Sequence, residues 1–409
     1  MRSDGRQAAT AISDRTVKLY DLETLRATSA FRGHTERIST VCYHPSMDHV
    51  LLSSSEDATM RMWDERAGAK PVSTLALRGP SSALTISGDH RASWGGSVAG
   101  TRDVPGRGSI GRLVAVGMDA TIGFWDMRVA GDSSEKPPSL LAVYEEGHIE
   151  RVTQLQFHPF APLQLLSASE EGLVCHYDTM IDGESDALQV VLQADSAIDR
   201  MGVFGSGGSH CFCVTQTQGL YLWHLGSAEL VGSFLDLRDR CAASGIDCCT
   251  LIDCHYDTAS EALSLLGGSW DSGTGTLFDV QPSTVTPLAR LAAGDAAAAA
   301  EGGEKGASGA SAGGTGGHGA PLRCVDWIPA AAVRRDSERP HSACCVTGGE
   351  DGRLCVWGDG EPLGVSHAPV GHARGGPRRG LPDPVLGGAT KRRRRHKRRG
   401  PASSQPRDE

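Results

Sequence analysis

The sequence predicts an all-β protein built as a closed ring of seven small sheets, and three observations lead to that fold class. A histidine and a proline recur three times at a fixed distance. A second fixed spacing of hydroxyl, acidic and aromatic residues follows each pair. Seven short segments with the alternation of β-strands end near an aromatic residue. Repeats of this length indicate one supersecondary unit per repeat, stacked on its neighbours.

The first spacing joins each histidine to a proline eleven positions later. The three pairs are His34 and Pro45, His148 and Pro159, and His318 and Pro329. In the second spacing a Ser or Thr is followed after four residues by an acid and after six more by an aromatic residue. These three sets are Ser53, Asp57 and Trp63; Ser167, Glu171 and Tyr177; and Thr347, Asp351 and Trp357. Chance does not produce a four-part spacing three times.

These landmarks resemble the WD40 repeat, whose Gly-His and Trp-Asp pairs mark one four-stranded blade of a β-propeller. The resemblance implies that each acid accepts a hydrogen bond from the histidine, which meets the hydroxyl, which in turn reaches the aromatic residue. Each set is then a tetrad that satisfies its buried polar groups. Blade two has the full set. Glu171 and Tyr177 replace Asp and Trp in blade four, and Gly358 replaces the Asp after Trp357 in blade seven.

The ring size follows from the ends of the third strands. Seven segments qualify, ending at Asp21, Asp64, Asp126, Asp178, His224, Asp279 and Gly358. We therefore expect a seven-bladed WD40 β-propeller over residues 1–372. Residues 87–112 and the Gly/Ala/Ser tract 292–320 are expected to be surface loops, since such compositions bury little apolar surface.

The first blade is expected to be incomplete, because the sequence opens at its second strand. Thr10, Asp14 and Tyr20 keep the tetrad spacing, so the matching histidine would stand before Met1. Either residues upstream of Met1 supply the missing strand, or the ring has a gap with an unpaired strand edge.

Charge is concentrated at the C-terminus. Residues 373–409 hold 12 basic and 3 acidic residues, so they carry +9 and residues 1–372 carry −18 of the overall −9. A run of like charges stays disordered and open to a partner. We favour a two-part nuclear-import signal, to be recognised by importin, over RNA or DNA contact and over a merely solvated tail. The signal would comprise Arg378, Arg379, Lys391, Arg392, Arg393, Arg394, Arg395, Lys397, Arg398 and Arg399.

A Trp-Asp-X-Arg ending occurs on two consecutive blades, with Arg66 in blade two and Arg128 in blade three. It resembles the motif by which some WD40 proteins dock on the propeller adaptor of cullin-RING ubiquitin ligases. The first copy fits the longer motif, whereas Gly123 replaces its basic residue in the second. The alternative is that these arginines form salt bridges between adjacent blades.

No catalytic, cofactor or metal motif stands out. The sequence lacks a P-loop, H-E-x-x-H and CxxC. The nearest cluster to a metal site is Cys248, Cys249, Cys254 and His255, whose spacing does not fit a zinc knuckle. We expect no enzyme activity, no cofactor and no metal. No signal peptide or apolar run near twenty residues is present, so we expect no membrane contact.

Three features resemble one particular member of the WD40 family. They are the segment 148–225, the two Trp-Asp-X-Arg endings and the basic tail. The resemblance implies a non-catalytic interaction scaffold in a nuclear or nucleolar setting such as ribosome assembly, with a cytoplasmic location as the alternative. The competing hypothesis is a substrate receptor of a ubiquitin ligase. Either function would lie on the surface of the ring and in the tail.

Overall fold

The computed structural model describes residues 1–2, 4–12, 14–88, 113–127, 139–258, 260–270, 272–291, 318, 320–327, 345–358 and 361–367. Within these residues the chain forms seven antiparallel sheets in chain order, one sheet per blade. The predicted seven-bladed β-propeller is confirmed. Most of the two predicted loops and all of the predicted tail lie outside the described residues.

Blades two to seven have four strands each, numbered here from the inner strand outwards. Blade two is β4 (Ile38–His44), β5 (Met47–Ser55), β6 (Thr59–Asp64) and β7 (Ser73–Ala76). Blade three is β8 (Ser81–Ile86), β9 (Leu113–Met118), β10 (Thr121–Asp126) and β11 (Ser139–Tyr144). Blade four is β12 (Val152–Phe157), β13 (Gln164–Ser169), β14 (Leu173–Asp178) and β15 (Leu188–Gln193).

The remaining three four-stranded blades follow the same order. Blade five is β16 (Ile198–Phe204), β17 (His210–Thr215), β18 (Leu220–His224) and β19 (Glu229–Phe234). Blade six is β20 (Thr250–Asp257), β21 (Ala262–Gly268), β22 (Gly275–Gln281) and β23 (Thr284–Leu291). Blade seven is β24 (Leu322–Trp327), β25 (Cys345–Gly349), β26 (Arg353–Gly358) and β27 (Glu361–His367).

Blade one has three strands within the described residues: β1 (Gln7–Ile12), β2 (Thr16–Asp21) and β3 (Arg26–Arg32). They match the second, third and fourth strands of the other blades, and within the described residues no inner strand pairs with β1. Six of the seven third strands end at the predicted residue. The exception is β22, which continues two residues past Asp279 to Gln281.

Helical turns are few in this part of the chain: α1 (Glu184–Ala187), α2 (Leu237–Ala243) and a short 3₁₀ turn over Ser206–Gly208. No described helix has the length and apolar character needed to cross a membrane.

The hydrophobic core is distributed around the ring rather than gathered at one centre. Seven apolar clusters lie one between each pair of neighbouring blades. The cluster that joins blade seven to blade one contains Val346 and Val356 on one side and Tyr20 on the other. Each blade therefore buries both faces against its neighbours, which explains why second and third strands are apolar on both faces.

Candidate functional site: buried tetrads and the two faces of the ring

Blade two shows a complete tetrad. His34 Nδ1 lies 2.9 Å from Asp57 Oδ2, and His34 Nε2 lies 2.8 Å from Ser53 Oγ. The Trp63 indole N–H donates to the same Ser53 oxygen over 2.8 Å. The tetrad thus ties the loop before β4 to the turn between β5 and β6. We call the end of the ring that carries these loops and turns the upper face, and the opposite end the lower face.

Blade seven contains the same arrangement. His318 Nδ1 lies 3.1 Å from Asp351 Oδ1 and its Nε2 lies 2.8 Å from Thr347 Oγ1. Trp357 Nε1 donates to Thr347 Oγ1 over 2.6 Å. Gly358, which replaces the aspartate after Trp357, therefore leaves the three contacts intact.

Blade four keeps only part of the network. His148 Nδ1 lies 3.1 Å from Glu171 Oε1, and its Nε2 lies 2.6 Å from Ser167 Oγ. The Tyr177 hydroxyl is buried beside the Cys175 thiol and does not reach Ser167. Tyr177 contributes instead by packing its ring on Tyr144, with centroids 5.0 Å apart.

The glycine before His148 has a steric reason. A Cβ at Gly147 would collide with the Tyr177 hydroxyl, so the loop can pass over the aromatic ring only without a side chain. The Gly-His pair in the sequence is therefore a packing requirement of the upper face as well as a landmark.

Strand register shows which blades lack the central hydroxyl. Trp63 pairs with Leu51, and Ser53 stands two residues further along that strand. In every blade the third-strand residue at the register position of Trp63 is aromatic. They are Tyr20, Trp63, Trp125, Tyr177, Trp223, Phe278 and Trp357, all buried. At the hydroxyl position, however, blades three, five and six have Val116, Cys213 and Gly267.

Blade six replaces the tetrad by apolar packing. The Cys248 sulfur fills the space above Gly267, where a Cβ would collide with it, and Phe278 lies next to both in the core cluster shared with blade five. Closer to the upper face, Ser269 Oγ donates to Asp247 Oδ2 over 2.5 Å and Ser272 Oγ over 3.1 Å. Here the acid comes from the loop before β20, whereas in blade two the acid comes from the turn between β5 and β6. Sequence reasoning missed this substitute.

Burial governs the protonation of the tetrads. Desolvation lowers the pKa of His34 and of His148, so both rings favour the neutral form despite their acidic partners. Burial opposes ionisation of Asp57, but hydrogen bonds from Thr59, the Thr35 N–H and His34 outweigh it and lower the pKa of Asp57 to about 2. The histidine, hydroxyl and acidic side chains of each tetrad bond to one another, and these bonds stabilise the fold.

The candidate metal cluster of the sequence, Cys248, Cys249, Cys254 and His255, does not come together around one point. Cys248 and Cys254 are buried in the apolar core shared by blades five and six, where desolvation raises the pKa of Cys248 to about 12. His255 stacks instead on Trp327 of blade seven, with ring centroids 4.6 Å apart. Within the described residues, no group of three or more His, Cys, Asp or Glu side chains could hold a metal ion.

The upper face exposes large apolar side chains. Ile149, next to the tetrad histidine of blade four, is 87% exposed, and Trp270, in the turn between β21 and β22, is 51% exposed. The Arg323 guanidinium lies 4.9 Å from the centroid of the Trp270 ring, and its Nε donates to Glu350 over 2.7 Å. This cluster bridges blades six and seven.

On the lower face, Arg66 is exposed two residues after the end of β6. Its side chain is 68% exposed and forks onto Asp64, with Nε to Oδ1 at 3.1 Å and Nη2 to Oδ2 at 3.0 Å. The arginine thus pairs within its own blade and not with a neighbouring one.

In blade three Gly123 makes room for the Trp125 ring, which a Cβ there would strike. Arg128 lies outside the described residues.

The ten basic residues of the predicted import signal, Arg378 to Arg399, also lie outside the described residues. The structure therefore neither supports nor opposes that prediction.

Comparison with known sequences agrees with this architecture. The family model for the WD domain, G-beta repeat, matches residues 25–64, which run from the last strand of blade one through the third strand of blade two. The seven blades and their tetrads have the architecture of a WD40 β-propeller, and this match identifies one WD40 repeat within it. Members of this family are generally protein-interaction scaffolds and are typically non-catalytic.

The chain also matches individual WD repeat-containing proteins. The chain is 26% identical over 285 residues to the WD repeat-containing protein 89 homolog of Dictyostelium discoideum, covering 69% of this chain and 70% of that protein. It is 27% identical over 360 residues to WD repeat-containing protein GTS1 of Arabidopsis thaliana, covering 85% and 77%. Human WD repeat-containing protein 37 is 42% identical over 62 residues, 15% of this chain and 12% of that protein. The narrower likeness that the sequence indicated, to WD repeat-containing protein 89, is confirmed.

Proposed function

We propose that this chain is a non-catalytic scaffold that binds partner proteins on the upper face of its propeller. The observation that carries the proposal is the exposure of Ile149 and Trp270 on that face. Glu171 holds the loop that presents Ile149, because its Oε1 accepts the Ile149 N–H and meets the His148 ring. Exposed apolar patches rimmed by polar residues mark interaction sites.

The chemistry of the cluster suits protein recognition. Trp and Arg are enriched among the residues that dominate binding free energy at protein interfaces. Arg323 is already oriented by Trp270 and Glu350, so less side-chain freedom is lost when a partner binds.

Affinity purification tests the proposal with paired variants. Ile149→Ala with Trp270→Ala should remove most partners of the intact chain. Leu288→Ala is the matched control, since Leu288 is 58% exposed but lies on the outer strand β23 away from the upper face. An unchanged partner set in the double variant, with correct folding shown by circular dichroism, would contradict the proposal.

A nuclear or nucleolar location, with a role such as ribosome assembly, is the finer part of the proposal. It rests on the clustered charge of residues 391–399, eight cations and one histidine in nine positions. A fluorescent fusion truncated after Leu386 should lose nuclear enrichment. If the tail also contacts RNA, binding should weaken steeply with salt and vanish with the same truncation.

A second candidate is a substrate receptor of a cullin-RING ubiquitin ligase. The exposed Arg66 favours it, because Asp64 holds the guanidinium in a fixed direction at the lower face. An adaptor carboxylate would have to replace or share that pairing. Arg66→Ala combined with Arg128→Ala should then remove a ligase adaptor from the partner set while upper-face partners remain. Retention of the adaptor would eliminate this function.

A further inference from the structure

The upper face of blades three and four carries an excess of negative charge. Four segments form it: the loops before β8 and β12, which are residues 77–80 and 145–151, and the turns after β9 and β13, which are residues 119–120 and 170–172. The structure describes all four segments. They hold six acids and two arginines, so their net charge is −4 with His148 neutral. We call this region the acidic surface.

Both arginines of the acidic surface are already paired with an acid. Arg151 Nη2 lies 3.8 Å from Glu56 Oε1 of blade two, and Arg78 Nη1 lies 3.8 Å from Glu145 Oε1. Four further acids of the surface are exposed, namely Asp119, Glu146, Glu150 and Glu170. A cation brought by a partner can therefore meet a carboxylate here without displacing either arginine.

The acids surround an apolar side chain. Ile149, at 87%, is the most exposed large apolar residue in the described part of the chain, and Glu150 follows it directly. Glu171 Oε1 accepts the Ile149 N–H over 3.1 Å. The Glu170 N–H donates to the Arg151 carbonyl over 2.9 Å. The turn with Glu170 therefore lies beside the loop that presents Ile149 and Glu150.

The loop that presents Ile149 is held at both ends. The two carboxylate oxygens of Glu184 accept the N–H groups of residues 145–147 over 2.5–3.0 Å. At the other end the Val152 N–H donates to the Asp119 carbonyl over 2.8 Å, which joins the loop to the turn of blade three. A partner that binds this loop loses little conformational entropy, because the loop is already ordered.

We propose that the acidic surface binds a basic segment of a partner polypeptide, with an apolar side chain against Ile149 and Lys or Arg side chains facing Glu150 and Glu170. Opposite charges steer the encounter and select the segment that binds, and the apolar contact excludes water. The same negative charge opposes a phosphate backbone, so this surface favours polypeptide over nucleic acid. The inference rests on the proposed scaffold function and specifies the partner chemistry of the Ile149 part of its site.

A display library of short random peptides, selected on the intact chain at low salt, tests the proposal. The enriched peptides should carry an apolar residue flanked by Lys or Arg. Their affinity should fall at least about tenfold between about 0.05 M and about 0.3 M salt, because salt screens exposed charges. Hydrogen exchange should slow at the backbone amides of residues 145–151 when an enriched peptide is added.

Glu150→Lys with Glu170→Lys separates the contribution of charge from that of shape. The enriched basic peptides should bind this variant at least about tenfold more weakly, and selection on it should yield acidic peptides instead. Glu23→Lys with Glu229→Lys is the matched control, because it changes the net charge equally at exposed positions outside the acidic surface. The control should select the same basic peptides, and circular dichroism checks that both variants fold.

Three results would overturn the proposal: no enrichment, enrichment without positive charge, or equal affinity of the basic peptides for the charge-reversed variant. Protection of residues 145–151 by a single-stranded RNA oligonucleotide instead of a basic peptide would overturn it as well. Failure of the scaffold function is a separate result, because it is measured by the partners that Ile149→Ala with Trp270→Ala removes. Those partners can be lost in that variant whether or not they are basic.

Discussion

Blades two and six hold the same fold with different chemistry. In blade two a buried hydroxyl, Ser53, receives the Trp63 indole N–H and meets the His34 ring. In blade six the hydroxyl position is Gly267, the aromatic residue is Phe278, and a cysteine sulfur fills the gap. At this position blade two satisfies buried polar groups with each other, whereas blade six fills the space with apolar groups and a sulfur atom.

This difference shows that the four-part spacing marks only one of two ways in which a blade is stabilised. A tetrad is costly if any member is lost, because the remaining polar groups stay buried without partners. An apolar blade depends instead on volume and close packing. The two blades should therefore respond differently to the removal of different atoms.

The largest effect is expected from Phe278→Ala in blade six. Phe278 is 1% exposed at the centre of the cluster shared by blades five and six. Truncation should lower the free energy of unfolding by about 3–5 kcal/mol, through lost burial and the cavity left behind. Urea denaturation measures it. A loss below about 1 kcal/mol would show that packing does not hold this blade.

Ser53→Ala in blade two removes a single oxygen and little volume. It should nevertheless cost about 2–4 kcal/mol, because His34 Nε2 and Trp63 Nε1 both lose their partner in a buried site. The matched change in blade six, Gly267→Ala, tests sterics instead, since its Cβ meets the Cys248 sulfur. A cost for Ser53→Ala within about 0.5 kcal/mol would contradict the tetrad account.

Acid should act most strongly on blade four, which contains three histidines with lowered pKa values, His148, His158 and His176. Burial lowers the pKa of His176 to about 4, against 6.5 in the unfolded chain. The unfolded state therefore takes up the proton first, and stability is lost as pH falls from 6.5 towards 4. Between pH 7.5 and 5 the loss from His176 should be on the order of 2 kcal/mol.

His176→Leu is the variant that isolates this effect in blade four. It should flatten the dependence of the unfolding free energy on pH between 6.5 and 4, measured by urea denaturation at several pH values. An unchanged slope would show that His176 is not the neutral, desolvated ring described.

The smallest effect is expected from Tyr177→Phe. The Tyr177 hydroxyl does not bond to Ser167, so its removal should change the free energy of unfolding by no more than about 0.5 kcal/mol, or stabilise the protein. Thermal unfolding suffices to measure it. A loss above about 1 kcal/mol would mean that blade four contains a closed tetrad after all.

Much of the fold was predictable from the sequence, because buried polar groups and chain geometry impose fixed spacings. The three histidine sets and the seven third strands followed from such spacings. The substitute packing in blades three and six did not, since the hydroxyl position there stands nine residues before Trp125 and eleven before Phe278 instead of ten. Turns of different length between the second and third strands cause that shift.

The surface was less predictable than the core. A salt bridge of Arg66 to a neighbouring blade was one of the two alternatives, and it is wrong: the arginine forks onto Asp64, two residues away. The contact of Arg323 with Trp270 joins residues 53 positions apart on different blades, and no periodic pattern relates them. Contacts between exposed side chains depend on the final positions of neighbouring turns, which sequence spacing does not specify.

The central claim is that a shared hydroxyl couples the histidine, the acid and the aromatic residue in blade two. A double-mutant cycle of Ser53→Ala and Trp63→Phe, beside one of Ser167→Ala and Tyr177→Phe in blade four, measures that coupling directly. We predict a coupling free energy of about 1–2 kcal/mol in blade two and one within about 0.5 kcal/mol of zero in blade four. Equal coupling in the two blades would contradict the account.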